Sequence, residues 1–495
     1  MKKLLLVSAL FTTAVGGLVN LSYAGEKPTK TSKVEVKNEK PTQNGKIVLT
    51  LNKAIEMALK DNLEIKAERL KAKEKYYDYK AAKGYLWPQL NFSYFFSRTN
   101  NPPYSIMFRM NNHNLQFPRV QPQDTTTAQG VFMWTAQSFQ AMENFFNNPG
   151  SSQQFNAKFE VQVPIWMGGK VRNMIKGKFF EWKSQELLSQ RKAEDVAFQV
   201  ADTYLKVLYA KAAVRATQTA LKDVETHLKL VEKMHKVGMA LYSDVLRVKV
   251  YYQSVKQKNI EAKNNLYIAK KALALLLNQQ WKPEQLSIKG ELYCPSPQEV
   301  EKSLNQLKRW AIEYRKDLNA LKEGLQAVKY YKKATWGTYL PDFVAFGEYD
   351  LYDVNRFANF RANSWMVGIG LQWKLFDGLN AFNKVKMLKE KERELKTMLD
   401  YAQKGIRFQI DKAYKDYQTA YAKVEEAKTK IKEAEESLRI VTNRYKQGLA
   451  RIVDLLDVQS QLDMARFEEV QALYQCNKAY LELYNNAGKL LEVVK

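Results

Sequence analysis

The side chains best able to bind a metal or to act as a nucleophile are few in this 495-residue chain, and their spacing favours neither role. There are three histidines and two cysteines. His227 and His235 are eight residues apart, about two turns of a helix and too far to share one metal ion. The sequence has no Ser/His/Asp set and no glycine-rich phosphate loop. It therefore predicts no enzyme, no catalytic residue, no metal site and no other cofactor.

The two cysteines leave one question open. Cys294 lies in a proline-rich stretch, and Cys476 lies between apolar residues at helical spacing, which predicts its burial. Disulfides persist in oxidising compartments. Export of the chain would therefore permit a Cys294–Cys476 disulfide, although no pattern in the sequence supports one.

Two long proline-free stretches, 165–282 and 342–495, are predicted to be helical, because an interior proline costs a helix about 3 kcal/mol. Apolar residues recur there in alternating steps of four and three, the heptad spacing of a helix–helix seam. In the second half the seam contains Ile406, Ile410, Ala413, Tyr417, Ala420, Val424, Ala427, Ile431, Ala434, Leu438, Val441 and Tyr445. The positions 210 residues earlier, from Val196 to His235, form the same seam. A helix of roughly 72 residues would be roughly 108 Å long, which suits a tube of helices.

The chain contains an internal repeat. Residues 238–246 recur as 448–456, and residues 165–168 recur as 375–378, both at an offset of 210. Leu-Trp-Pro-Gln-Leu at 86–90 matches Leu-Pro-Asp-Phe at 340–343 with a larger offset of 253. The first half therefore carries an insertion before its long helix.

Four stretches of about ten residues alternate apolar and polar side chains, as membrane-spanning β-strands do. They are residues 88–97, 155–163, 343–351 and 365–375. Four strands cannot close a barrel alone, because an open sheet edge cannot face lipid. Three chains would supply twelve strands, whereas two would give eight, whose interior is filled by side chains. A soluble antiparallel sheet is the alternative interpretation.

The predicted fold class is therefore a membrane β-barrel plus a long α-helical barrel or coiled coil. It has two internal repeats and four strands per chain, and trimerisation completes a twelve-stranded barrel. Residues 98–154, between the first two strands, are predicted to be an external loop. Methionine can bind copper, but the scattered Met107, Met110, Met133 and Met142 of this loop are better explained by packing.

The N-terminus indicates export. A basic start is followed by an apolar stretch and by Ser22-Tyr23-Ala24, which predicts a signal peptide over 1–24, with a membrane anchor as the alternative. Residues 25–46 are predicted to be a flexible leader. The first repeat is predicted over 47–277 (helix, strand, loop, strand, two long helices), a linker over 278–302, and the second repeat over 303–492 (helix, two strands, two long helices).

The chain is strongly basic, with 78 Lys and Arg against 52 Asp and Glu and a net charge of +26. Nucleic-acid binding proteins gather their basic residues on one face, but here acids and bases alternate along the chain, so nucleic acid is not a predicted partner. A mean hydropathy of −0.47 argues against a protein of many membrane-spanning helices.

Several motifs together resemble the TolC-like outer membrane efflux protein family over nearly all of residues 47–492. They are Leu49-Thr50-Leu51 with Ala54-Ile55 and residues 58–62, the two strand-opening motifs, residues 375–378, residues 445–448 and residues 454–457. The resemblance implies a homotrimer with twelve outer-membrane strands and a long periplasmic tunnel of twelve helices. It implies, as partners, outer-membrane lipid, a periplasmic adaptor protein and an inner-membrane transporter.

The resemblance also implies roles for residues near the turns between the long helices. Asp454 and Asp457 match acids that line the closed periplasmic tip, and Tyr445 matches a tyrosine of the same gate. Six gathered carboxylates would attract cations and raise the carboxyl pKa, although acids at a helix start also complement its dipole. Asp244 matches Asp454, while Arg247 stands where the second acid would be, and Ala450 replaces an arginine of the usual closing bond.

Gly238 and Gly448 match the tips at which the adaptor docks, and glycine also suits the turn itself. The predicted function is thus a trimeric channel that exports small molecules, such as drugs or metals, as part of a tripartite pump. A type I protein-secretion duct and a periplasmic coiled-coil scaffold without a pore are the alternatives. The lipid-facing alternation of residues 365–369 favours a pore over a scaffold.

Overall fold

The computed structural model describes residues 47–122, 126–297, 300, 304–355, 360 and 362–493. The predicted signal peptide (1–24), the leader (25–46) and residues 298, 299 and 301–303 of the linker lie outside the described residues.

The first half runs from a short strand to two long helices. Its elements are β1 (Ile47–Leu49), α1 (Leu51–Asp61), α2 (Leu63–Gly84), β2 (Gln89–Thr99), α3 (Pro102–Asn111), α4 (Ala128–Asn147), β3 (Ser152–Met167), α5 (Lys170–Lys236) and α6 (Tyr242–Leu276). The second half follows a 3-10 turn at Pro283–Gln285 and has a second 3-10 turn at Gly337–Tyr339. Its elements are β4 (Leu286–Ile288), α7 (Leu304–Tyr314), α8 (Lys316–Trp336), β5 (Asp342–Asp353), β6 (Ala362–Gln372), α9 (Asn380–Lys446), α10 (Ile452–Asn486) and α11 (Leu490–Val493).

Each repeat begins with two helices where the sequence predicted one. Asn62 separates α1 from α2: its side chain accepts from the backbone N–H groups of Glu64 and Ile65, at 2.9 and 3.2 Å, and donates to Leu276 O at 2.8 Å. Arg315 separates α7 from α8 at the matching position, buried and paired with Asp317. The Asn62 side chain caps α2, whereas Arg315 makes no capping hydrogen bond and separates its two helices by its extended backbone.

The four long strands form one antiparallel sheet in the order β2-β3-β5-β6. The register aligns Phe92 with Phe159, Phe159 with Tyr349, and Tyr349 with Trp365. The apolar side chains of all four strands therefore share one face, as the alternation predicted. The other face is more polar and carries a Lys158–Glu348 ion pair of 2.9 Å. The fourth strand ends at Gln372, before the predicted end at 375.

The helices α5 and α9 have 67 residues each, about 100 Å at 1.5 Å per residue. They are somewhat shorter than the predicted length, because glycine turns at 168–169 and 378 precede them. In α9 every seam residue from Ile406 to Ala427 is buried. In α5 the matching residues are buried or half-buried down to Val231, whereas His235 is exposed. No helix in the described ranges is both long enough and apolar enough to cross a membrane.

Near the middle of the long helices, a small sheet and a disulfide attach the linker to α5 and α10. β1 pairs in parallel with β4, and Tyr204 of α5 donates to Leu49 O at 3.0 Å. Three-residue strands of this kind have no sequence pattern that would predict them. Cys294 and Cys476 form the disulfide that the sequence left open, with Cα atoms 5.6 Å apart and Cys476 fully buried as predicted.

Candidate functional site

Each pair of long helices reverses direction in a short turn with the same backbone. In the first tip (residues 235–247), Gly238 has φ +79°, and Met239 N–H donates to Met234 O at 2.8 Å. In the second tip (residues 445–457), Gly448 has φ +72°, and Leu449 N–H donates to Arg444 O at 2.9 Å. Both are helix C-terminal turns that need a left-handed residue. The sequence therefore located both turns correctly.

An aspartate caps the start of the returning helix at each tip. Asp244 Oδ2 accepts from the backbone N–H of Leu241 at 3.2 Å, and Asp454 Oδ2 accepts from that of Arg451 at 3.0 Å. Both carboxylates lie in the first turn of their helix, where the positive end of the dipole stabilises them. The two acids are thus local structural caps as well as candidate gate residues.

The second tip has a cation, Arg451, at the position that Leu241 occupies in the first tip. The Arg451 guanidinium contacts both oxygens of Asp454, with Nη2 donating to Oδ1 at 3.1 Å. These hydrogen bonds hold the pKa of the Asp454 carboxyl below its usual range. In the single chain this is opposite to the direction expected for gathered carboxylates. Arg451 directly follows Ala450, which stands where the resemblance implies an arginine.

Asp457 is exposed one turn further along α10 and accepts from Gln461 Nε2 at 3.2 Å. Since it lies three residues after Asp454, both acids occupy the same side of the helix. The matching residue of the first tip is Arg247, also exposed. The acidic pair is therefore a property of the second tip alone.

Tyr445 links the two tips. Its ring is 5% exposed and packs in a cluster with residues of both helix pairs, including Val245 and Leu455. Within the described residues its hydroxyl is buried and has no hydrogen-bond partner. Burial, and then the negative charge of Asp244, raise the pKa of this hydroxyl. The structure thus brings Tyr445 and Asp244 close enough to interact across the two pairs.

A second buried polar group joins the helix pairs further from the tips, and sequence reasoning missed it. His227 Nε2 of α5 lies 2.9 Å from Gln459 Oε1 of α10. Gln459 Nε2 donates to Asp463 Oδ1 at 2.9 Å, and Tyr251 of α6 donates to Asp463 Oδ2 at 3.0 Å. Burial raises the pKa of the Asp463 carboxyl. No spacing pattern marks this group, because its residues come from three different helices, α5, α6 and α10.

The tips present apolar side chains to solvent in the single chain. These are Val237, Met239, Leu241 and Tyr242 of the first tip and Leu449 of the second. All five are at least 59% exposed. Apolar surface of this kind is typical of an interaction site. No group of side chains that could hold a metal ion occurs in the described ranges.

The sequence and the fold both match known proteins. The model of the outer membrane efflux protein family matches residues 54–279 and 309–489. The fold is similar to CusC (TM-score 0.72, 14% identity, covering 94% of this chain and 99% of that one) and to a membrane protein from Pseudomonas aeruginosa (0.71, 15%, 88% and 93%). It is also similar to the outer membrane protein VceC from Vibrio cholerae (0.69, 16%, 89% and 96%). At these identities the likeness establishes the fold alone. No curated protein matches the sequence.

Proposed function

Since its sequence matches the family model over more than half its length, the chain belongs to the outer membrane efflux protein family, and we propose that three copies form one continuous export tunnel. The family's members are outer-membrane efflux channels with a helical tunnel in the periplasm, and they are not enzymes. The number of copies, the closure of the tip and the adaptor site are our proposals. A signal peptide over residues 1–24 is part of the same proposal, because such a channel must be exported.

The observation that carries the trimer is a sheet with two open edges. In the described part of the chain, β2 and β6 are the outer strands of the four-stranded sheet. The sheet exposes Leu90, Trp365, Val367 and Ile369 on its apolar face, each about 70% exposed or more. Such a face suits lipid, but open edges do not. Pairing β6 of one copy with β2 of the next removes every edge.

The long helices also expose residues that a neighbouring copy would cover. Tyr401 and Phe408 of α9 are 78% and 68% exposed, and Val250 and Leu275 of α6 are 71% and 79% exposed. Each lies on a side away from the buried seam of its own pair. Two helix pairs per chain give six pairs in a trimer, enough to form a closed wall around a tunnel.

The second tip is the proposed gate. Three copies would place Asp454 and Asp457 in a ring of six carboxylates around the axis, which favours cations. Within each copy the buried Tyr445 side chain packs one helix pair against the other, near Asp244, and Arg451 partly neutralises Asp454. Opening requires the α9–α10 pair to move away from the axis, which separates Tyr445 from Asp244.

The exposed apolar residues at the tips are the proposed docking surface for a periplasmic adaptor that leads to an inner-membrane transporter. Gly238 and Gly448 hold this surface in position, because each fixes the turn that presents it. Changing Met239 and Leu449 to aspartate should abolish export by cells while leaving the conductance of the purified channel unchanged.

The decisive experiment measures single-channel currents of the detergent-extracted protein in a planar bilayer. We compare the wild type with Asp454→Ala/Asp457→Ala and with Glu433→Ala/Glu436→Ala, a control that removes two exposed acids of the same spacing from α9. We expect cation-selective current, and we expect its selectivity and open time to change only in the tip variant.

Each result has a definite meaning. If the current is the same in all three proteins, the protein is a channel but Asp454 and Asp457 are not its gate. Absence of current from a protein that is trimeric by light scattering would contradict the tunnel and favour the scaffold. A monomer by light scattering would contradict the proposed assembly.

A further inference from the structure

The insertion between β2 and β3 contains a helix with a largely exposed apolar side. β2 leads away from the long helices and β3 returns toward them, so the insertion lies at the far end of the sheet. In an outer-membrane channel this end faces outside the cell. The sequence predicted a loop here, but the structure places α3 and α4 in it.

The helix α3 is fixed to the polar face of the sheet. Ser105 Oγ lies 2.8 Å from Ser152 Oγ, and Asn111 Nδ2 donates to Gln154 Oε1 at 3.3 Å. Ser152 and Gln154 alternate along β3 with the apolar residues and share a face with Lys158. In a barrel this face lines the interior. The insertion therefore folds over the mouth of the tunnel rather than outward over lipid.

The helix α4 is attached to this base by one of its sides. Trp134 Nε1 donates to Val120 O at 2.9 Å, and the ring of Phe145 lies 5.6 Å from that of Phe117. These contacts turn the half-buried side of α4 toward its own loop. The other side of the helix therefore points away from that loop.

The exposed side of α4 carries a phenylalanine stripe, Phe132, Phe139 and Phe146. The rings are 69%, 76% and 48% exposed and recur every seven residues. The ring of Phe146, at the end of the stripe, also lies 6.5 Å from that of Phe117. A strict seven-residue repeat keeps one line of side chains facing a partner helix. Gln140 and Asn144 are also exposed and form a neighbouring polar side, about 100° and 140° around the helix from Phe139.

Charge and location favour a second copy of this chain as the partner of the stripe. Helices that lie on lipid headgroups carry Lys or Arg on their polar side, but the only charged residue of α4 is Glu143. The open edges of β2 and β6 already require neighbouring copies beside the base of the insertion. The same three-fold axis would bring three α4 helices together.

We propose that the α4 helices of three copies pack against one another across the extracellular mouth through the phenylalanine stripe. This inference rests on the trimer proposed above. It assigns to the insertion a contact between subunits at the end of the tunnel opposite the tip. The contact removes three exposed phenylalanine rings per copy from water, which stabilises the packing of a helix that is almost uncharged.

The test uses single cysteine variants of the full chain, whose own cysteines are joined in a disulfide. Phe139→Cys and Phe132→Cys lie on the stripe, and Gln140→Cys is the matched control on the polar side. Extracted trimers are treated with a short bismaleimide and separated on a denaturing gel. We expect both stripe variants to give crosslinked dimers roughly tenfold faster than the control, because the axis raises the effective concentration of the stripe cysteines.

The outcomes separate this inference from the assembly on which it rests. Light scattering first establishes whether each variant is a trimer. Trimers in which the stripe variants crosslink no faster than Gln140→Cys would overturn the packing of α4 and leave the channel intact, which would favour lipid as the partner. A protein that is not trimeric before crosslinking would overturn the proposed assembly and this inference with it.

Discussion

The first and second tips follow the same hydrogen-bonding pattern at an offset of 210 residues, yet they differ in what their side chains do. Gly238 and Gly448 adopt the same left-handed backbone, and Asp244 and Asp454 cap the same position. Around this common turn, the first tip places His235 in solvent, whereas the second buries Tyr445 at the matching position. The repeat has kept the residues that shape the backbone and changed those that contact neighbours.

The largest expected difference between the tips is in packing. Leu455 is fully buried in the cluster that joins them, and its counterpart is Val245. We expect Leu455→Ala to destabilise the second tip by about 2–5 kcal/mol. Val245→Ala removes fewer carbon atoms and should cost about 2 kcal/mol. Hydrogen–deuterium exchange of the tip amides measures both, and equal losses would mean that the clusters do not differ in energy.

Tyr445→Phe tests the buried hydroxyl. Because this hydroxyl has no partner in the described chain, its removal should stabilise the tip by about 1–3 kcal/mol. The pKa of the hydroxyl is raised, so the folded tip disfavours the ionised form. Stability is therefore unaffected by this group below about pH 10 and declines as the pH rises above that value.

The phenylalanine variant should therefore lose the alkaline decline in tip protection. His235→Phe, at the exposed counterpart, is the control. A tip that is weakened by Tyr445→Phe at neutral pH would instead indicate that the hydroxyl is bonded in the assembled channel.

The glycines should behave alike. An alanine at Gly238 or Gly448 would meet no atom within 4 Å, so its whole cost is the left-handed backbone, about 1–2 kcal/mol. Thermal unfolding of Gly238→Ala and Gly448→Ala should give matching shifts. A much larger shift at one position would show that this tip has a partner in the assembly that the other lacks.

The smallest effect is expected from Arg451→Gln. Exposed ion pairs contribute little to stability, so thermal unfolding should not change. The pKa of Asp454, now held low by Arg451, should rise. A carboxyl with a lowered pKa stays charged near neutral pH, and the stability that its charge gives is lost only as the pH falls through that pKa. When the pKa rises in the variant, the acid-induced change in cation selectivity should therefore move to higher pH. If this change occurs at the same pH in the wild type and in Arg451→Gln, Asp454 does not lie in the path of the current.

The sequence predicted the parts of the fold that repeat over many residues. The seam residues around Ile410 and the alternation around Val367 extend over whole helices and strands, so single exceptions do not hide the pattern. It did not predict the break at Arg315, because a helix interrupted at one residue keeps its apolar spacing. It also missed His227, whose partner depends on where separate helices meet, and the local pair of Arg451 with Asp454 at the start of α10.

The disulfide between Cys294 and Cys476 closes a ring of the chain that contains β5, β6 and all of α9. A protease that cuts once within this ring produces no free fragment, because the two ends stay joined through sulfur. A cut at the exposed Phe360, between β5 and β6, therefore does not separate the pieces. Their release then requires a reductant as well as a protease, so a gel run with and without reductant distinguishes a nicked chain from an intact one.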